Sequence, residues 1–173
     1  LGDEIMLKKS FYVLLFAVAF MLVACRTDKS DDHTPSKKAE QIIYAMMSCP
    51  NSELYEPSSV SVIGENTEDQ AGSEDDYNIS GKMYQNWEKK IGECFSEQGL
   101  QDFLTTGPAF NYFIEADQRN VEIKVKDMEL LERSELIEKT KVILKKGYEE
   151  ETVVPVFRYD SNGNVSEVRI ESE

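Results

Sequence analysis

The sequence predicts an α+β domain in which N-terminal helices pack on a four-stranded antiparallel sheet. Three observations predict it. Between Ile79 and Phe95, apolar residues recur every four positions, the spacing of one helix face. After Asn120 the period drops to two, as in a strand with one buried side. The strand-like runs are joined by short polar segments, one of them Asn162-Gly163, a dipeptide that favours tight hairpins. Helices segregated to one face of an antiparallel sheet define this class.

The chain opens on a segment that stands outside this domain. Met6-Leu7-Lys8-Lys9 reads as a natural translation start, which sets Leu1 to Ile5 aside from fold reasoning. Lys8 and Lys9 form a positive flank, and Phe11 to Ala24 is apolar apart from Tyr12. This run is shorter than the ~20 residues a helix needs to cross the hydrocarbon core. The layout is that of a cleaved secretory signal. Its end, Leu22-Val23-Ala24-Cys25, resembles the lipobox of bacterial lipoproteins. The resemblance implies diacylglyceryl transfer to the Cys25 thiol and cleavage before it. A diacyl pair gives stable retention, so the expected location is the cell membrane or outer membrane, on the extracytoplasmic side. Arg26 lacks the aspartate character that would suggest inner-membrane retention in a double-membraned host.

Arg26 to Thr34 is polar and charged, and residues 25–35 read as a lipidated flexible tether. Residues 36–173 then form one domain. Thr34-Pro35 reads as a helix cap and first helical residue. Ala39, Ile42, Ile43, Met46 and Met47 follow at helical spacing, and Pro50 stops the helix at Cys49. Residues 58–63 suit a short strand. Glu65, Glu68, Asp69, Glu74, Asp75 and Asp76 invite a calcium reading, but their spacing matches no loop motif, and a solvated loop fits better. The second helix carries Ile79, Met83, Trp87, Ile91 and Phe95 in one stripe, expected to pack on the concave side of the sheet. Ser96 reads as a new cap, with Leu100, Phe103 and Leu104 inward, and Gly107-Pro108 breaks that helix. Ala109 to Ala116 forms a third, with Phe110, Phe113 and Ile114 on one side.

The strands come next. Val121, Ile123 and Val125 alternate with charged residues, and at Asp127 the phase slips, which predicts a bulge. Leu136 to Lys146 is the second strand, with Thr140, Val142 and Leu144 on one face. Thr152 to Tyr159 is the third, and its Pro155 prefers an edge or a bulge. Val165 to Glu171 is the fourth.

With its 33 acidic and 19 basic residues, the chain has a net charge of −14. Residues 1–24 hold two of each, so cleavage leaves that balance unchanged. An acidic surface disfavours nucleic acid as a partner, because phosphates need a basic face. It also disfavours adhesion of the domain to anionic lipid, leaving the anchor as the contact with membrane. Once Cys25 is lipidated, Cys49 and Cys94 remain as an even pair in an oxidising setting. A disulfide between them would close a loop of roughly 45 residues and add about 3–4 kcal/mol on the loop-entropy model. Two buried free thiols are the alternative. The pair lacks Cys-x-x-Cys spacing for redox work, and His33, the one histidine, lies in the tether, so no zinc site is expected.

The helix block, the Phe95-Ser96-Glu97-Gln98-Gly99-Leu100 junction and the closing Tyr159-Asp160-Ser161-Asn162-Gly163-Asn164-Val165 hairpin resemble the small exported NTF2-like (cystatin-like) proteins. The resemblance covers roughly residues 36–172. It implies a curved sheet wrapped on the long helix as a cone, with a concave pocket between them. The fold does not imply one function.

Three constellations bear on function. Glu115, Asp117 and Glu122 sit near a helix–strand junction, but acid–base work needs a titrating group buried at the substrate, and no histidine follows His33. Tyr44, Tyr84, Trp87 and Tyr112, with Phe110 and Phe113, suit either a pocket or a core; the first four are the candidate pocket residues. Asp160, Asn162, Asn164 and Glu171 imitate the ligand spacing of an EF-hand, but Val165 stands where the turn needs glycine. No metal and no cofactor is expected. The reading that follows is a lipid-anchored, non-catalytic binding or interaction module, with an envelope protein as a possible partner. A small-molecule pocket protein or isomerase/lyase-like enzyme on the same fold is the alternative. An open concave face would favour the second, a filled one the first.

Overall fold

The computed structural model describes residues 33–63, 76–79 and 81–172. These form an α+β arrangement of four helices and an open four-stranded antiparallel sheet. In chain order they are α1 (Lys37–Met47), β1 (Val60–Ile63), β2 (Asp76–Ile79), α2 (Gly81–Ile91), α3 (Glu97–Thr105), α4 (Asn111–Arg119), β3 (Ile123–Arg133), β4 (Ile137–Lys146), β5 (Glu149–Tyr159) and β6 (Val165–Ser172). The main sheet has the order β3-β4-β5-β6. The helices do not all precede the strands, as the sequence suggested. A separate antiparallel pair, β1–β2, lies between α1 and α2 in the chain.

Ser36, not Thr34, caps α1; its hydroxyl accepts the Ala39 N–H at 3.1 Å. Thr34-Pro35 cannot serve, because the chain before Ser36 is committed to the sheet. The Leu130 N–H donates to the His33 carbonyl at 2.8 Å, and Arg133 donates to the Thr34 carbonyl at 2.9 Å. Ala39, Ile42, Ile43, Met46 and Met47 are all buried, as their spacing predicts. The helix ends at Met47, two residues before the expected stop. Cys49 instead exchanges two main-chain hydrogen bonds with Ile123, both 2.9 Å.

The expected stripe of the second helix is shared among three elements. Met83, Trp87 and Ile91 lie buried on α2. Ile79 belongs to β2, and Phe95 follows a 3-10 turn (Gly92–Cys94) and bridges Val165. Met83, Trp87, Ile91 and Phe95 share one buried core with Val142, Leu144, Val153 and Phe157 of the sheet. The fully buried Trp87 meets Phe103, Phe110 and Phe113 edge-on, at centroid distances of 5.8, 5.8 and 6.1 Å. α1 lies against β3 and α3 against β6, while α2 packs on α1.

Ser96 caps α3 as predicted, accepting the Gly99 N–H at 3.1 Å. Gly107 ends it at close quarters: a Cβ there would sit 2.7 Å from the Phe103 Cα. α4 begins at Asn111 after a 3-10 turn over Pro108–Phe110, later than expected. It ends on Asn120, whose φ of 49° is one that asparagine tolerates better than most residues.

β3 carries the predicted bulge, with its register shifting between Val125 and Asp127. Pro155 departs from expectation, since β5 is an interior strand and keeps one register against β4. The strand tolerates proline by giving up local pairing. Lys139↔Val156 and Val142↔Val153 are partners, but Thr140 and Lys141, facing Pro155 and Val154, are not. A missing N–H removes that rung. The Asn162-Gly163 turn is longer than two residues. Asp160 and Asn164 close it through a main-chain hydrogen bond of 2.8 Å, with Gly163 at φ 74°.

Candidate functional site

The four candidate pocket residues do not converge. Tyr44 is 47% exposed and Trp87 wholly buried. Tyr84 is half-buried on α2, and Tyr112 is buried on α4 beneath Lys146. The Trp87 indole donates to the Leu54 carbonyl at 2.8 Å, which fixes it as core. Cys25 and the acids of 65–75 lie outside the described residues.

The expected Cys49–Cys94 disulfide is not formed; both are buried free thiols. Cys94 lies against the Gln41 carboxamide at 3.0 Å, on the first half of α1. Cys49 follows the far end of the same helix, near the Met46 carbonyl. Each thiol thus has its own neighbours, Cys94 beside the first half of α1 and Cys49 beyond its end.

The EF-hand imitation is spent on turn chemistry. The Asp160 carboxylate accepts the N–H groups of Asn162 and Asn164, at 2.8 and 2.9 Å. Glu171 pairs with Lys139 at 3.5 Å. Among the described residues, no cluster of histidine, cysteine or carboxylate side chains could hold a metal.

The inner face of β4 brings the buried polar groups together. Its alternate residues are Glu138, Thr140, Val142, Leu144 and Lys146, all buried. At one end, the Glu138 carboxylate accepts the Ser36 N–H at 2.7 Å, the Tyr159 hydroxyl at 3.1 Å and Arg133 at 3.3 Å. At the other end, Lys146 donates to Glu115 at 2.5 Å, pairs with Glu151 and sits 5.3 Å over the Tyr112 ring. Arg119 extends this second group by bonding Glu115 and Glu149. Between the ends, the Thr140 hydroxyl is buried without a hydrogen-bond partner. Both ends were readable in principle, because Glu138 and Lys146 are in phase with Thr140, Val142 and Leu144.

The electrostatics hold these groups in their resting forms. Burial pushes the Cys49 thiol up to about 12, with the Glu115 charge adding to it. Burial pushes the Tyr159 phenol up to about 12 and raises Tyr112 as well. Burial works against the charge on Lys146, but its bonds to Glu115 and Glu151 prevail and raise its pKa. Burial likewise opposes ionisation of Glu115, yet Lys146 and Arg119 hold its carboxyl below the usual range. Near neutral pH the two phenols and Cys49 stay protonated, Lys146 stays cationic and Glu115 anionic. None of these five is poised to give or take a proton.

Space for a ligand lies outside the core. A cleft of about 510 Å³ opens between residues 50–57 and α4 with its C-terminal turn. Tyr55 stacks on Phe113 on its floor, centroids 5.4 Å apart. Pro50, Pro57 and Val121 line it, with Asp117 and Glu122 among its polar residues. A second cleft, of about 550 Å³, is lined by Leu54, Met83, Lys82 and Asn86. Of the three carboxylates singled out from sequence, Glu115 belongs to the Lys146 network and Glu122 pairs with Lys124 at 2.8 Å. Comparison with known protein families, curated proteins and solved structures returns no match to this chain.

Proposed function

We propose that the chain is a lipid-anchored, extracytoplasmic binding or protein-interaction module, held through Cys25, whose α+β domain is of the NTF2-like type. The single observation that carries the non-catalytic part is the filled space between helices and sheet. Trp87, Phe103, Phe110 and Phe113 pack on one another in the core, and the two charged residues that face inward, Glu138 and Lys146, are engaged by neighbours. Binding is thereby left to the outer clefts. The anchor rests on Leu22-Val23-Ala24-Cys25 and the polar stretch that follows. A small-molecule reading keeps one supporting observation, the aromatic floor of the Tyr55–Phe113 cleft.

Three experiments test this. Mass spectrometry of the N-terminal peptide from membrane-extracted protein should find a diacylglyceryl group on Cys25, and Cys25→Ala should abolish it. An unmodified Cys25 in soluble protein overturns the anchor. A photo-crosslinking residue at Asp117, on the cleft, should trap an envelope partner that the same residue at Tyr148 does not. Equal trapping at both sites counts against the cleft. A co-purifying small molecule displaced by Tyr55→Ala would move the reading to the second alternative.

A further inference from the structure

The two edges of the main sheet are unequal. The β3 edge is bulged twice, and its Leu130 N–H is taken by the His33 carbonyl. Among the described residues, main-chain bonds cover the β6 edge only at its start. There Phe95 bridges Val165, Ser96 donates to the Val165 carbonyl at 3.0 Å, and α3 lies so close that a Cβ on Gly99 would stand 2.5 Å from that oxygen.

Pro155 fixes which way the rest of β6 points. Its lack of an N–H coincides with the missing rung toward β4, so its main-chain groups face β4. Neighbouring residues of a strand alternate in direction. Val154 and Val156 therefore face β6, and their partners Glu171 and Arg169 face back. Val168 and Ile170 turn their N–H and carbonyl groups to the open side. No main-chain partner outside β5 meets them among the described hydrogen bonds. A cleft of about 940 Å³ runs along this side, between Asp102, Thr106 and Pro108 on one wall and Val168 and Ile170 on the other.

We propose that this edge pairs with the same edge of a second copy, joining two sheets into one across a two-fold axis at Ile170. The sequence of β6 is self-complementary in that register. Arg169 falls opposite Glu171 of the second copy on the outer face, twice per dimer, and Ile170 meets Ile170 on the inner face. Both charged side chains are more than half exposed, and their bonds to Glu167 and Lys139 lie within their own chain. The covered residues Val165 and Ser166 stay outside the paired segment. Three outward residues per strand would exchange about six main-chain hydrogen bonds. Unpaired edges favour such additions.

Cysteine pairing in the full-length chain tests the register. Arg169→Cys and Glu171→Cys are expressed separately and together in the native membrane, then oxidised mildly. Opposed residues of an antiparallel pair lie within disulfide reach. The mixture should give a covalent dimer, and each variant alone should give little. Val168→Pro, added to both, should remove the product by blocking the edge. Light scattering of the full-length protein in detergent, across a concentration series, should show its mass doubling. A chain that stays monomeric, or cysteine dimers that form equally in the single variants, overturns the proposal. So does a dimer that Val168→Pro leaves intact.

Discussion

The two ends of the inner face of β4 bury opposite charges in different ways. Glu138 is engaged by a main-chain N–H, a phenol and one arginine that is 37% exposed at its side chain. Lys146 is engaged by two carboxylates, Glu115 and Glu151, with side chains 28% and 48% exposed, and by a ring face. Glu138 thus ties the Ser36 N–H, which has no other acceptor among the described hydrogen bonds, while the Tyr159 hydroxyl also meets the Ser36 hydroxyl at 2.9 Å. Lys146 ties anions that water can also serve. Losing the carboxylate from the first end leaves the part-buried Ser36 N–H without its acceptor, whereas losing the lysine from the second frees carboxylates that can hydrate. The cost of a buried charge depends on what its partners would do without it.

The aromatic core between these ends sets the scale for breaking the comparison. Trp87→Ala should destabilise the domain by about 3–5 kcal/mol, as for any large buried aromatic. It also leaves the Leu54 carbonyl without its donor. Chemical denaturation measures the loss, and a near-wild-type midpoint would refute the core assignment.

Glu138→Leu should come next, at about 1–3 kcal/mol, because it leaves the Ser36 N–H without its acceptor. Glu138→Gln keeps an acceptor and should recover part of the loss. If both variants matched wild type, the end-for-end contrast would collapse.

Lys146→Met should cost only about 1 kcal/mol near neutral pH, since its carboxylate partners are partly exposed. Its effect should depend on pH. Glu115 is held below its ordinary value of 4.5, so its contribution is present above that pH and is lost as pH falls through its lower folded value. Lys146 is raised above 10.5, so its contribution is present below that pH and is lost as pH rises through its higher folded value. The difference between wild type and Lys146→Met should therefore be level between these limits and shrink on either side. Urea midpoints across pH measure it, and a difference that grows below pH 4.5 would contradict the network.

Thr140→Val should be the mildest change, neutral or stabilising by up to about 1 kcal/mol, because it removes a buried hydroxyl that has no partner. A clear destabilisation would mean that this hydroxyl is engaged after all.

Periodicity carried much of the fold in the sequence. The α1 face, the Ser96 cap, the bulge before Asp127 and the β4 face from Thr140 to Leu144 were all legible. Local spacing failed where tertiary contacts decided the outcome. Ile79 and Phe95 keep helical phase with Trp87 yet fall in neighbouring elements, because Phe95 is taken by Val165 and Ile79 by β2. Ser36 displaces Thr34 as cap because Thr34 is bonded to Arg133 across the chain. The site was less legible. Tyr44, Tyr84, Trp87 and Tyr112 share a chemistry but not a place. The floor of the apolar cleft needs Tyr55, from a stretch without periodicity, to meet Phe113. The pairing of Cys49 with Cys94 rested on parity in their number, which carries no information about which end of α1 each would occupy.

The segment from His33 to Ser36 has a mechanical consequence. It is bonded to the edge strand β3 through Leu130 and Arg133, and to the interior strand β4 through Glu138. A pull on the chain ahead of residue 33 therefore loads the sheet before it loads α1. The force is shared among main-chain and charge-assisted bonds, one of which is anchored on an interior strand. The chain enters the domain through a clasp and not through a loose helix end, so α1 is shielded from tension that would otherwise fray its first turn.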